Sequence, residues 1–173
     1  GYDYIGSSAG SQIKTNASRF VILGPGAGSQ AISPSNSVLI GFNAGALSYS
    51  GSANILIGYQ AGQDNTGQYN IFLGKGAGAN NTSADGNVMI GNNAGQANTT
   101  QTQNTYVGFQ AGYASAGNEN TMIGYNAGVN TTAGHNVVIG SSAGSDMTTG
   151  DYNTIIGVTA GANITGSQQN VIL

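Results

Sequence analysis

The sequence predicts an all-β chain folded as a parallel β-solenoid, or β-roll, of about ten coils of 16–18 residues. The motif Gly-x-x-Ala-Gly occurs ten times, with its first glycine, the coil glycine, at positions 6, 24, 41, 58, 74, 91, 108, 124, 140 and 157. A fixed short repeat is typical of solenoids. Apolar residues before the coil glycine alternate with period two, and two glycines in every five motif residues disfavour helix.

The residues before each coil glycine predict a strand of about four residues. Positions one and three before the glycine share one face and are mostly Ile, Leu, Val or Thr, as in Ile55 and Ile57. The middle position points the opposite way and is also apolar: Leu39, Leu56, Phe72, Met89, Tyr106, Met122, Val138 and Ile155. A strand that is apolar on both faces is typical of burial on both. One face can line the coil; the other needs a partner, and the simplest is another copy of the chain.

A coil of this length has room for two short strands and two turns, so we expect two parallel sheets in a flattened rod roughly 45–50 Å long. An asparagine precedes most strands, at Asn54, Asn70, Asn87, Asn104, Asn120, Asn136, Asn153 and Asn170. Stacked coils would align these side chains into a ladder that satisfies turn backbone groups. We interpret these asparagines as structural.

Residues 1–173 are expected to form a single repeat domain, with irregular first coils in 1–36 and regular repeats in 37–173. The chain starts and stops within a repeat, and we interpret it as a segment of a longer fibrous protein. Only 5% of its residues are charged and its net charge is -3. Three basic residues predict no nucleic-acid partner. No run approaches the ~20 apolar residues of a membrane span, so no membrane insertion is expected.

Chemistry-bearing residues are few, and no catalytic, metal or cofactor site is predicted. The acids are dispersed: Asp3, Asp64, Asp85, Asp146, Asp151 and Glu119. Asp85 and Glu119, two coils and about 10 Å apart, are the one marginal pair for a glycosidase. His135 is the single histidine and is expected in a surface turn. Gly24–Gly28 and Gly74–Gly78 lack the Gly-Lys-Ser/Thr order of a phosphate loop.

Aromatic residues follow the coil glycine at Phe42, Tyr59, Phe109 and Tyr125, and Tyr49 and Tyr113 are expected in or near loops. The first four can stack on one another or on a sugar ring. Packing at a coil corner or between chains is the favoured interpretation, because aromatic rings carry large burial energies.

The strand motif, as in Ser37–Gly41 or Asn120–Gly124, resembles the Asn-Ser-Val-Ala-Ile-Gly repeat of YadA-like heads of trimeric autotransporter adhesins. With Gly-x-x-Ala-Gly and loops such as Asn130–Gly134, it also resembles repeats of bacteriophage tail fibres. The resemblance covers nearly the whole chain. It implies a left-handed parallel β-roll packed as a homotrimer. The Gly-x-x-Ala-Gly step departs from the usual adhesin loop.

The leading functional hypothesis is therefore a structural and adhesive segment of an extracellular, cell-surface or virion fibre. It would be a homotrimer that extends or forms an element binding a host-surface glycan or protein. An ice-binding solenoid is the alternative, against which we note threonines in variable loops, such as Thr99, Thr100 and Thr102, rather than in one aligned column. A polysaccharide-degrading fibre enzyme ranks lower. An enzyme is not predicted.

Overall fold

The structure is a computed structural model that describes residues 3–14, 18–47 and 51–173. Its secondary structure is one parallel sheet in which the strands follow chain order. The strands are β1 (Asp3–Ile5), β2 (Val21–Leu23), β3 (Val38–Ile40), β4 (Ile55–Ile57), β5 (Ile71–Leu73), β6 (Val88–Ile90), β7 (Thr105–Val107), β8 (Thr121–Ile123), β9 (Val137–Ile139), β10 (Thr154–Ile156) and β11 (Val171–Ile172). The chain is thus an all-β solenoid, as predicted.

Register between neighbouring strands keeps every repeat position over its equivalent. Leu56 pairs with Phe72, for example, and Tyr106 pairs with Met122. The irregular first coils keep this register, because Ile5 of β1 pairs with Leu23 of β2. The solenoid therefore stacks identical positions into columns along the rod. Ten steps of about 4.8 Å between eleven strands give a rod of roughly 48 Å.

The prediction of a second parallel sheet is wrong. In the described parts of the chain each coil contributes one strand, and the Gly-x-x-Ala-Gly segment on its other side stacks as turns. These turns are joined from coil to coil by backbone hydrogen bonds, such as that from Gly45 N–H to the Ala61 carbonyl at 3.0 Å. The physical reason is the backbone: Gln60 and Gly62 take φ values of 55° and 52°, which prevent an extended run.

The core is a column of strand side chains facing a column of alanines. The middle strand residues are fully buried, as Leu56 and Tyr106 illustrate. The motif alanines that pack in the same core, including Ala61 and Ala111, are also fully buried. The interior of the coil is narrow, so a small residue opposite a large one fills it without a void. The two outward strand positions remain partly exposed.

The coil glycine is required by both backbone and packing. Gly74 takes φ +137°, a region that is essentially restricted to glycine. A Cβ added there would lie 2.5 Å from the carbonyl oxygen of Gly91 in the next coil. Side chains are therefore excluded where the coils approach most closely.

The strand asparagines form the predicted ladder, just outside the three-residue strands. The Oδ1 atom of Asn70 accepts a hydrogen bond from the backbone N–H of Asn87 at 2.9 Å, and Asn120 accepts one from Asn136 at 2.9 Å. Their Nδ2 groups donate to loop carbonyls, as from Asn70 to Ala84 at 2.9 Å. The register of successive coils is therefore fixed by these side-chain hydrogen bonds in addition to the backbone hydrogen bonds of the sheet.

Candidate functional site: the outer face of the sheet

The exposed apolar surface is concentrated on one face. Among the residues that the structure describes, every exposed large hydrophobic side chain occupies one of four positions in the coil. Two are the outward strand positions, here called the central columns. The third follows the coil glycine (the glycine-side margin), and the fourth precedes the strand asparagine (the asparagine-side margin). The residues are Ile5, Val21, Phe42, Ile55, Tyr59, Tyr69, Ile71, Leu73, Phe109, Ile123, Tyr125, Tyr152, Ile156, Val158, Val171 and Leu173.

These four columns form a continuous surface, here called the outer face. Its width is seven residues of chain, or six spacings and roughly 20 Å at strand geometry, and ten coil steps give a length of roughly 48 Å. Monomeric proteins rarely expose contiguous apolar patches larger than about 300–600 Å², and larger patches mark interaction surfaces. The outer face is therefore the candidate interaction surface of the described residues.

Aromatic rings stack along the glycine-side margin, as one of the sequence interpretations expected. Phe42 and Tyr59 stack with ring centroids 5.3 Å apart and planes 11° apart. Phe109 and Tyr125 stack at 5.3 Å and 10°. The ammonium group of Lys75 lies 5.9 Å from the Tyr59 ring centroid. The pairs form because the register superposes the two rings, and their outer surfaces stay about half exposed.

The asparagine-side margin carries a second stack, which the sequence did not reveal. His135 and Tyr152 lie in successive coils with parallel rings and centroids 4.7 Å apart. The Nδ1 atom of His135 lies 3.3 Å from the Glu119 carboxylate of the preceding coil. The predicted surface turn for His135 is confirmed. A depression of about 310 Å³ borders this stack and includes Asn118 and Asp151.

Three of the dispersed acids have local partners. The Oδ1 atom of Asp85 accepts the Gln68 N–H at 2.6 Å, and that of Asp151 accepts the Gly134 N–H at 2.8 Å. These carboxylates therefore link neighbouring coils at equivalent positions. Glu119 is instead paired with His135. The expected marginal pair, Asp85 and Glu119, is thus divided between two different local interactions.

A column of buried polar residues runs through the interior and was missed by the sequence reasoning. It comprises Asn65, Asn81, Asn98, Ser115 and Thr131, each seven residues after a coil glycine. The Tyr106 hydroxyl donates to the Ser115 hydroxyl at 2.8 Å. Burial raises the pKa of the Tyr106 phenol, while the side chains of Ser115 and Asn120 act in the opposite direction. Counting from the coil glycine would have found this column.

The expectation that threonines do not align in a column is also wrong. Position eight after the coil glycine is an exposed or half-exposed threonine in most coils: Thr66, Thr82, Thr99, Thr132, Thr148 and Thr165. The hydroxyls of four of them, Thr66, Thr82, Thr132 and Thr148, donate to a carbonyl of the next coil, as from Thr82 to Thr99 at 3.2 Å and from Thr148 to Thr165 at 2.8 Å. Loop-length differences fall after this position, which hid the alignment.

The sequence predictions also concern metal ligands, membrane-spanning segments and the two loop tyrosines. Among the residues that the structure describes, no three His, Asp or Glu side chains lie together as metal ligands would. Within the same residues no helix is long and apolar enough to cross a bilayer. Tyr113 lies half-buried in a turn, as expected, whereas Tyr49 is outside the described residues.

No protein-family model, no curated protein and no solved structure matches this chain. What the chain does has to be inferred from its fold and its surfaces.

Proposed function

We propose that this chain is a structural and adhesive segment of an extracellular or virion fibre, in which three copies pack along their outer faces. The observation that carries the proposal is the restriction of exposed large apolar side chains to the four columns of the outer face. A rod with one apolar face buries that face by associating with copies of itself.

The dimensions support a stable assembly. A face of roughly 20 by 48 Å has a nominal area of about 1,000 Å², and a specific interface buries about 800 Å² on each partner. The face carries few charges: Arg19, Lys75 and Glu119 lie on its margins, and Asp3 of the first strand is the one charged residue at a central-column position. Little charge would therefore be desolvated when copies pack.

The sequence resemblance supports the same proposal. The repeats of trimeric adhesins and phage fibres, which the strand motif resembles, belong to elongated proteins at a cell or virion surface. The polar, weakly charged remainder of the coil suits a shaft that holds a binding element away from that surface. A host-surface glycan or protein is the partner that such a fibre would bind.

Light scattering of the purified chain tests the assembly directly. A molar mass three times the 17.2 kDa of the chain is the expected result. A monomer whose outer face remains exposed would contradict the proposal.

The threonine column favours ice binding as a second candidate. Two runs of three threonines, separated by Ala116, present methyl and hydroxyl groups at a spacing of about 4.8 Å within each run. The hydroxyls of Thr82 and Thr148 donate within the protein but still have lone pairs for water. Thermal hysteresis that is lost in Thr99→Lys and kept in Ile71→Lys would favour this function, whereas unchanged ice growth would exclude it.

A further inference from the structure

One rung of the asparagine-side margin has no side chain. At this position the described coils carry residues such as Tyr69, Gln103, His135 and Tyr152, but the coil between Tyr69 and Gln103 carries Gly86. His135 and Tyr152 show how neighbouring rungs fill the column, with rings in contact at 4.7 Å. At Gly86 the column instead has an open depression of about 410 Å³ lined by Tyr69, Asp85, Gly86, Thr102 and Gln103, here called the Gly86 slot.

Neither packing nor backbone requires a glycine at this rung. A Cβ added to Gly86 would have the Cγ of Gln103 as its nearest neighbour, at 3.8 Å, which is an ordinary contact. Its φ of +70° is a left-handed value, but Tyr69 and Gln103 take 59° and 60° at the same position with full side chains. The left-handed φ favours glycine at all three positions, but Tyr69 and Gln103 show that the fold does not require it there. Gly86 differs in this respect from a coil glycine such as Gly74, where an added Cβ would clash with the backbone of the next coil.

The slot has the dimensions of one ring. Tyr69 and Gln103 lie two coils apart, which is about 9.6 Å at sheet spacing. A ring placed between them needs about 3.5–4.0 Å of contact distance on each side, or about 7–8 Å in total. One six-membered ring can thus occupy the empty rung.

The groups around the slot fit a sugar. The Tyr69 side chain is 67% exposed and has no neighbouring side chain at the Gly86 rung. Asp85 is held in place by the Gln68 N–H at 2.6 Å, and Thr102 and Gln103 supply a hydroxyl and an amide. A pyranose combines a C–H face, which suits an electron-rich ring face, with equatorial hydroxyls that suit a carboxylate, a hydroxyl and an amide. The slot contains a carboxylate and no cation, which disfavours sugar acids.

We propose that the Gly86 slot binds an uncharged pyranose ring of a glycan, which takes the place of the missing side chain between Tyr69 and Gln103. This inference rests on the proposed adhesive function and names its ligand class. The slot lies in the outermost column of the outer face, and the proposal requires this margin to form the solvent-accessible rim of the interface when copies pack. A trimer would carry three such slots, and weak single sites would act together on a polyvalent glycan.

Saturation-transfer NMR on the purified chain tests the proposal with the methyl glycosides of glucose, galactose, mannose and N-acetylglucosamine, and with methyl glucuronide as the charged control. We expect transfer to at least one uncharged glycoside and not to the glucuronide. Tyr69→Ala should weaken binding about tenfold, which corresponds to 1.4 kcal/mol. Gly86→Tyr, which fills the rung, should abolish binding. Transfer to none of the uncharged glycosides would overturn the proposal.

Tyr152→Ala is the matched control, because Tyr152 occupies the same column beside a rung that His135 fills. Its sugar binding should equal that of the unmodified chain, and an equal loss in Tyr152→Ala and Tyr69→Ala would overturn the proposal. Circular dichroism establishes that each variant is folded.

The molar mass of each variant, measured by light scattering, distinguishes a failure of the sugar-binding proposal from a failure of the proposed trimer. A trimer that binds no sugar contradicts the slot alone, and a monomer that binds sugar through Tyr69 contradicts the trimer alone. If Gly86→Tyr dissociates the trimer, the slot receives a side chain of a second copy, and the saccharide proposal is wrong.

Discussion

The Oδ1 atom of Asn87 accepts the backbone N–H of Asn104, one coil further along the rod, at 2.9 Å. The same side chain donates through Nδ2 to the Gln101 carbonyl at 2.9 Å. One buried amide therefore connects its own strand to the next strand and to the loop that precedes it.

Replacing Asn87 with alanine removes both bonds and leaves the Asn104 N–H unsatisfied, whereas the Gln101 carbonyl keeps its bond from the Asn98 amide at 3.0 Å. One unsatisfied buried group costs about 1–3 kcal/mol, so the free energy of unfolding should fall by about that amount. Denaturant unfolding at fixed protein concentration measures this fall in the free energy of unfolding. Asn163→Ala is the control, because Asn163 is exposed, and its effect should stay within about 0.5 kcal/mol. Equal effects of the two variants would contradict the structural role of the ladder.

Gly74→Ala should destabilise the chain strongly. The new Cβ would meet the Gly91 carbonyl oxygen, and alanine strongly disfavours the φ of +137°. Backbone strain of about 1–3 kcal/mol and overpacking of about 1–3 kcal/mol add together. Gly86→Ala is the matched variant: its Cβ has space and its cost should be about 1–2 kcal/mol. Thermal unfolding of the two proteins compares them, and a smaller effect at Gly74 would refute the packing argument.

Tyr106→Phe should cost about 1–3 kcal/mol, since the Ser115 hydroxyl loses its partner in a buried site. The double variant Tyr106→Phe/Ser115→Ala removes both groups and should recover part of that loss. Denaturant unfolding of the two single variants and the double variant forms a complete cycle. Additive losses would mean that the two hydroxyls act independently.

Alkaline pH should weaken the fold through the same residue. Burial raises the pKa of Tyr106 above its ordinary value of 10.0, so the folded state retains a proton that the unfolded chain releases. Stability from this group is complete below about pH 10 and declines above it, by up to about 1.4 kcal/mol per pH unit. Tyrosinate absorbance and unfolding measured across this range should show the decline in the unmodified chain and a smaller one in Tyr106→Phe.

Lysine in the central columns should separate the proposed trimer. Ile71 and Leu73 are 37% and 43% exposed in the single chain, and packing of copies would bury them. A lysine there would have to be desolvated without a partner, so Ile71→Lys/Leu73→Lys should give a monomer by light scattering. Asn80→Lys adds a charge at an exposed position of the same coil outside the outer face and should leave the mass unchanged. An intact trimer in the double variant would place the interface elsewhere.

Much of the architecture was predictable because the repeat constrains it. The coil length, the strand positions and the asparagine ladder follow from residues that recur at fixed distances from the coil glycine. The single sheet was not predictable, because a residue such as Gln60 carries no sequence sign of its left-handed φ. Columns of different residue types, such as Glu119, His135 and Tyr152, become visible only when the register is known. The same holds for Gly86, which in sequence is one glycine among 30.

The nearest-neighbour pairing of the strands has a consequence for how this protein can change. Each strand pairs only with the strands before and after it in sequence, and every coil presents the same cross-section to both. Duplication or loss of one 16- or 17-residue unit would lengthen or shorten the rod by about 4.8 Å and leave all other contacts in place. The number of repeats therefore sets the length of the rod.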